Sequence, residues 1–111
     1  MAVLTTYTVD YDGLDISSAY AAAAASQEFP NDGRTFIHIL NTNGSSRTCT
    51  LTTAGTISGH AIADTVITVG ATTGNFMAGP FPTSIYNASD GNIDITWSAT
   101  ADVTIGVFKL P

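Results

Sequence analysis

The alternation of apolar and polar positions predicts strands along most of the chain. Residues 3–11 (VLTTYTVDY) are β-branched or aromatic almost throughout, which predicts a strand with Val3, Tyr7, Val9 and Tyr11 on its apolar face. Asp12 and Gly13 mark a turn. Residues 16–28 (ISSAYAAAAASQE) carry five consecutive alanines, Ala21 to Ala25, with Ser17 or Ser18 placed to cap a helix. The segment is short of the ~12–15 residues an isolated helix needs, so a short packed helix and an Ala-lined loop both remain open. Residues 29–33 (FPNDG) predict a turn. Residues 34–40 (RTFIHIL) are apolar on both parities and predict a central strand covered on both faces.

Asn43 and Gly44 predict a hairpin into a strand over 47–53, with Cys49 and Leu51 facing the core and Thr48, Thr50 and Thr52 facing out. Residues 55–63 read as irregular, broken at Gly59. Strands follow over 64–69 and 75–78, the second ending at Gly79-Pro-Phe-Pro82. A short pairing is expected over 84–86 and a turn over 87–91. Residues 92–98 alternate cleanly, with Ile93, Ile95 and Trp97 inward and Asp94 and Thr96 outward. The last strand, 102–110, has Val103, Ile105 and Val107 on one face. About seven or eight strands with short connections predict an all-β fold. The expectation is a single antiparallel β-sandwich or jelly-roll-like domain over residues 1–111. Residues 1–28 would form its N-terminal strand plus the Ala-rich short helix or loop.

Composition narrows the function classes. Nine acidic and three basic residues leave a net charge of -6, and 11% of residues are charged, against roughly 25% in an average soluble domain. Three basic residues make no nucleic-acid footprint, and the acidic balance disfavours an anionic membrane. No apolar run reaches the ~18 residues of a membrane span, and Met1 to Thr8 lack the basic start of a signal peptide. Thr, the commonest residue, supplies much of the uncharged surface. A single cysteine excludes an intrachain disulfide.

Candidate chemistry is sparse. His38, His60 and Cys49 lack the spacing of a zinc site, and Cys49 reads as a buried structural thiol. Asp10, Asp12 and Asp15 with Gly13 fail the calcium-loop pattern, because Gly13 is out of place and position twelve is Ala21. Asp64, Asp94 and Asp102 are dispersed along the chain. Asn43-Gly-Ser45 and Asn87-Ala-Ser89 match the glycosylation pattern but fall at turns. No enzyme, cofactor or metal is expected. Rings at loops are material either for an interface or for closing the ends of a sandwich. Tyr7, Tyr11, Tyr20, Phe29, Phe81 and Tyr86 are therefore the candidate interface residues.

Four stretches carry a resemblance: FPNDGRTFIHILN (29–41), TCTLTTAGTISGHAIADTVITV (48–69), GNFMAGPFP (74–82) and IYNASDGNIDITWSATADVTIGVFKL (85–110). Together they resemble small tailed-phage structural proteins encoded beside the major capsid protein, a group whose assigned members decorate or cement the head. The resemblance covers about three quarters of the chain and contains no catalytic motif. It implies a jelly-roll-like fold, a homotrimer, the major capsid protein as partner, and a place on the virion capsid surface after synthesis in the host cytoplasm. Other virion roles (head–tail connector, tail or head-fibre protein) and a host-surface binding module are the alternatives.

Overall fold

The computed structural model describes residues 2–111; Met1, included in the expected 1–111 domain, lies outside the described residues. The strands are β1 (Ala2–Val3), β2 (Thr6–Thr8), β3 (Ala21–Ala22), β4 (Ser26–Pro30), β5 (Thr35–Asn41), β6 (Arg47–Leu51), β7 (Thr56–Ile57), β8 (His60–Ala61), β9 (Thr65–Val69), β10 (Gly74–Ala78), β11 (Asn92–Trp97) and β12 (Val103–Lys109). One four-residue helix, α1, spans Thr83–Tyr86. The protein is thus mostly β. Its first sheet has the order β1-β4-β11-β6-β9 and its second β10-β5-β12-β2, with β3 also paired to β12. A separate hairpin joins β7 to β8.

Period-two alternation explains the core. Thr35, Ile37, Ile39 and Asn41 on β5 are buried, while Phe36, His38 and Leu40 between them are half-buried on the other face. Ile93 and Ile95 on β11, Cys49 and Leu51 on β6, and Val103, Ile105 and Val107 on β12 follow the same rule. Both sheets send the apolar side chains among these into one cluster with Phe29, Leu4, Val69 and Phe81. Each fully buried Ile, Leu or Phe contributes about 1.5–3 kcal/mol. Trp97, expected inward, packs against this cluster and donates its indole N–H to Gln27 Oε1 at 2.9 Å.

Several expectations change. The sheets are mixed rather than purely antiparallel, because β1 runs parallel to β4 and β2 parallel to β12. The N-terminal strand breaks at Leu4 and Thr5, so its halves join different sheets. Leu4 is buried, Val3 and Tyr11 are exposed, and no single apolar parity survives the break. The alanine run forms no helix. Ala21 and Ala22 pair with Ile105 and Thr104 of β12, and this ladder overrides a propensity that no apolar helical stripe supports. The predicted 29–33 turn begins later, because Phe29 and Pro30 belong to β4. Asn43 and Gly44 connect strands of different sheets instead of closing a hairpin. The true hairpin lies in the segment read as irregular. There Ser58 (φ 51°) and Gly59 (φ 78°) make a two-residue turn between β7 and β8. Residues 84–86 are helical rather than paired.

Candidate interaction surface

The outward parity of the second sheet gathers rings. Phe36 and His38 on β5 stand beside Phe108 and Gly106 on β12, and Tyr7 on β2 is opposite Phe108. Met77 on β10 is opposite His38. Residues 9–20 then cross this face and lay Val9, Ile16 and Tyr20 over it. Ring centroids lie 5.8 Å apart for Phe36–Phe108, 5.9 Å for Tyr20–Phe108 and 6.4 Å for Tyr7–Phe108. These are spacings at which aromatic pairs attract.

Polar atoms fix the arrangement. The Tyr20 hydroxyl meets His38 Nδ1 at 2.5 Å, and His38 Nε2 meets Asn75 Oδ1. A neutral imidazole satisfies both contacts, with Nε2–H donating to Asn75 and Nδ1 accepting from Tyr20. Burial raises the Tyr20 pKa, which keeps the hydroxyl protonated as that donor. The Tyr20 ring rests directly on Gly106, where a side chain would collide with it. Between these groups lies an apolar hollow of about 270 Å³, lined by Val9, Ile16, Tyr20, Phe36, His38, Met77 and Phe108. At its mouth Met77 is 63% and Ile16 43% exposed.

A second, larger hollow of about 640 Å³ lies where the link between β1 and β2 meets the ends of β4 and β11. Its walls mix apolar Val3, Leu4 and Pro30 with polar and charged groups of both signs, Asp32, Asp90 and Lys109 among them. The Arg34 amide, chiefly, together with the Thr35 hydroxyl, Lys109 and Arg34, holds Asp32 below the usual carboxylate range. Asn31 is spent on structure: its Nδ2 donates to Phe81 O and Asn87 Oδ1, and its Oδ1 accepts from the Gly33 amide.

Of the six candidate interface residues, Tyr7 and Tyr20 belong to the aromatic face, and Tyr11, 99% exposed, projects from the turn beside it. Phe29 and Phe81 are buried and are corrections. Phe29 sits on the inward parity of β4, and Phe81 packs 6.1 Å from it and 5.2 Å from Tyr86. Tyr86 is half-buried in the same group, its hydroxyl 2.7 Å from Thr65 Oγ1. Phe29 and Phe81 fill core space, and Tyr86 packs against them from the partly exposed side. Phe36, His38, Met77 and Ile16 were not among the candidates. The signal for Phe36 and His38 was the doubly apolar segment 34–40, whose second face needed something to cover it; Ile16 and Met77 carried no local mark.

The residues weighed for chemistry lie apart. His60 is on the exposed β7–β8 hairpin, Cys49 is buried between the sheets, and His38 is on the aromatic face. Burial pushes the Cys49 thiol up to about 12, which removes its nucleophilic form at neutral pH. Compared with protein-family models, with curated proteins and with solved structures, the chain matches none.

Proposed function

We propose that this chain is a structural binding protein of a tailed-phage head, a decoration protein that docks on the outside of the assembled shell and bridges capsomers. The observation that carries the docking role is the aromatic face of the second sheet, with an apolar hollow within it. Sheet faces of this kind bind by burial, and aromatic residues with Met are enriched at such interfaces. The virion role rests on the resemblance of residues 29–110 and on the strand order. Eight antiparallel strands, β3, β4, β5, β6, β9, β10, β11 and β12, pair in the orders β3-β12-β5-β10 and β4-β11-β6-β9. In each order a strand from the first half of the series alternates with one from the second. This supports a jelly-roll sandwich, an architecture frequent in viral shells. The major capsid protein is the proposed partner and a homotrimer the proposed state.

Bridging stabilises only the assembled lattice, because the full site exists only there. Each occupied site then contributes RT ln(1 + [L]/Kd), and many sites act together. The test uses expanded heads assembled without this protein. Purified protein should saturate them at many copies per particle and raise their rupture temperature. Failure to bind, or binding with no shift in rupture temperature, refutes the cement role. One ring of copies per particle assigns the protein to a connector or tail instead.

A further inference from the structure

We infer that the hollow between Tyr20 and Met77 receives a single bulky apolar side chain carried on a basic segment of a partner protein. The inference rests on the docking role of this face but not on the partner being a capsid. Size suits a side chain: at about 270 Å³ the open hollow lies at the lower edge of the ~300–1,000 Å³ of small-molecule sites. The walls are apolar apart from the His38 and Tyr20 polar atoms, which are already paired with each other and with Asn75.

Charge points to the segment that carries it. Wall residues Val9 and Ile16 are followed and preceded in the chain by Asp10 and Asp15, with Asp12 in the turn between. All three carboxylates are exposed. Asp10 Oδ1 accepts from the Asp12 amide and Asp15 Oδ1 from the Ser17 amide, each at 3.0 Å, so the rim has a defined shape. No basic residue occurs among residues 1–33. Lys109 has the opposite parity to Phe108 and lines the other hollow, the Arg34 guanidinium donates to the Pro111 carbonyl at 2.9 Å, and Arg47 is on the other sheet. Two wall residues are therefore flanked in the chain by exposed carboxylates that no basic side chain pairs among the described residues, which favours Lys or Arg beside the inserted group. A second copy is disfavoured. Its most exposed ring, Tyr11, sits between Asp10 and Asp12 and would bring acid onto acid.

The test uses four peptides and the whole protein: Lys-Lys-Phe-Lys-Lys, Ser-Ser-Phe-Ser-Ser, Glu-Glu-Phe-Glu-Glu and Lys-Lys-Ser-Lys-Lys. Binding is followed by NMR shifts of Ile16, Tyr20, His38 and Met77. The Lys-flanked Phe peptide should bind tightest and the Glu-flanked one weakest. Converting Asp10, Asp12 and Asp15 together to Asn should weaken the Lys-flanked peptide about tenfold at low salt, the combined effect of three surface pairs, and much less at about 0.5 M salt. Ile16→Asp, in an irregular exposed segment, should abolish binding without unfolding, and Met77→Asp is the second blocking variant. Equal binding by all the Phe peptides, equal binding by the Ser-centred peptide, or shifts on another face overturns the inference. So do pocket shifts that track the protein's own concentration, which would assign the hollow to a second copy. Peptide binding by a protein that fails on heads overturns the virion role alone. Heads decorated normally by Ile16→Asp overturn this face as the docking site.

Discussion

Gly106→Ala probes the aromatic face at the point where it is most tightly packed. A Cβ at this position would lie 2.4 and 2.5 Å from two carbons of the Tyr20 ring and 2.8 Å from Phe108 Cε2, well inside the ~3.5–4.0 Å of carbon contact. Gly106 does not have a left-handed φ, so alanine meets no backbone penalty there. Taken alone, the smaller entropy of the unfolded alanine chain would stabilise the protein by about 0.4–1 kcal/mol. The ring must move, however. Its movement breaks the 2.5 Å hydrogen bond to His38 and the edge contacts at 5.4 Å to His38 and 5.9 Å to Phe108. The bond is worth about 1 kcal/mol and each ring contact about 0.5–1.5 kcal/mol. The losses win, and the net destabilisation should be about 2 kcal/mol, a fall of roughly 8 °C in Tm for a domain of this size. The assay is urea and thermal unfolding of the wild type, Gly106→Ala, Tyr20→Ala and the double variant. If Tyr20 carries the effect, Gly106→Ala becomes neutral or stabilising in the Tyr20→Ala background, a coupling of about 2 kcal/mol. An equal penalty in both backgrounds would refute the reasoning and move the clash to Phe108.

Three other outcomes follow from the same geometry. Phe29→Ala, at a fully buried ring between the sheets, should cost about 3–5 kcal/mol in urea unfolding; a cost under about 1 kcal/mol, typical of a surface site, would contradict its place in the core. Cys49 should not react with a thiol reagent at pH 8 in the native protein and should react at once in denaturant, because burial holds its pKa at about 12. Asp94 has a pKa raised chiefly by burial and also by Glu28 and Asp90, so the folded state holds its proton more tightly than the unfolded chain and stability falls as pH rises from about 3.8 through the folded pKa. Asp94→Asn should therefore raise Tm at pH 7 and leave it unchanged at pH 3, and a gain of equal size at both would refute the assignment.

Strand parity was legible where one strand stays in one sheet. Cys49 and Leu51, Ile93 and Ile95, and Val103, Ile105 and Val107 all face the core as alternation predicts. It failed where the chain changes sheets. Residues 3–11 read as one strand, but the crossing at Leu4 and Thr5 resets the faces, and local pattern carries no mark of a crossing. Ala21 and Ala22 failed for a related reason: their partner, β12, lies more than eighty residues away. Asn43-Gly44 and Ser58-Gly59 show the limit of turn chemistry. The first has the stronger hairpin signature and joins two sheets, while the second makes the hairpin. The rings divided likewise. Phe29 and Phe81 looked like loop residues because Pro neighbours them, yet the core needed their volume.

The low charge content has two physical origins, and only one of them bears on the proposed docking. On the outer face of the first sheet, Thr48 pairs with Thr68 and Thr50 with Thr96 across three strands. Threonine suits a strand, and its hydroxyl is solvated by water, so the patch of Thr48, Thr50, Thr68 and Thr96 is satisfied by solvent, with Glu28 and Asp94 beside it on β4 and β11. On the outer face of the second sheet the charge is replaced by Phe36, Phe108 and Met77 around a hollow, Phe108 already buried and Met77 exposed, and water forms no hydrogen bond with these side chains. A lysine introduced on each face separates the two origins. Thr68→Lys, at an exposed edge position, should change stability by no more than about 0.5 kcal/mol and leave decoration of heads intact. Met77→Lys should leave stability similar, since that side chain is mostly exposed, and yet abolish docking, because a charge in the mouth must be desolvated when the apolar group enters. Loss of docking by Thr68→Lys but not by Met77→Lys would assign the interface to the threonine face.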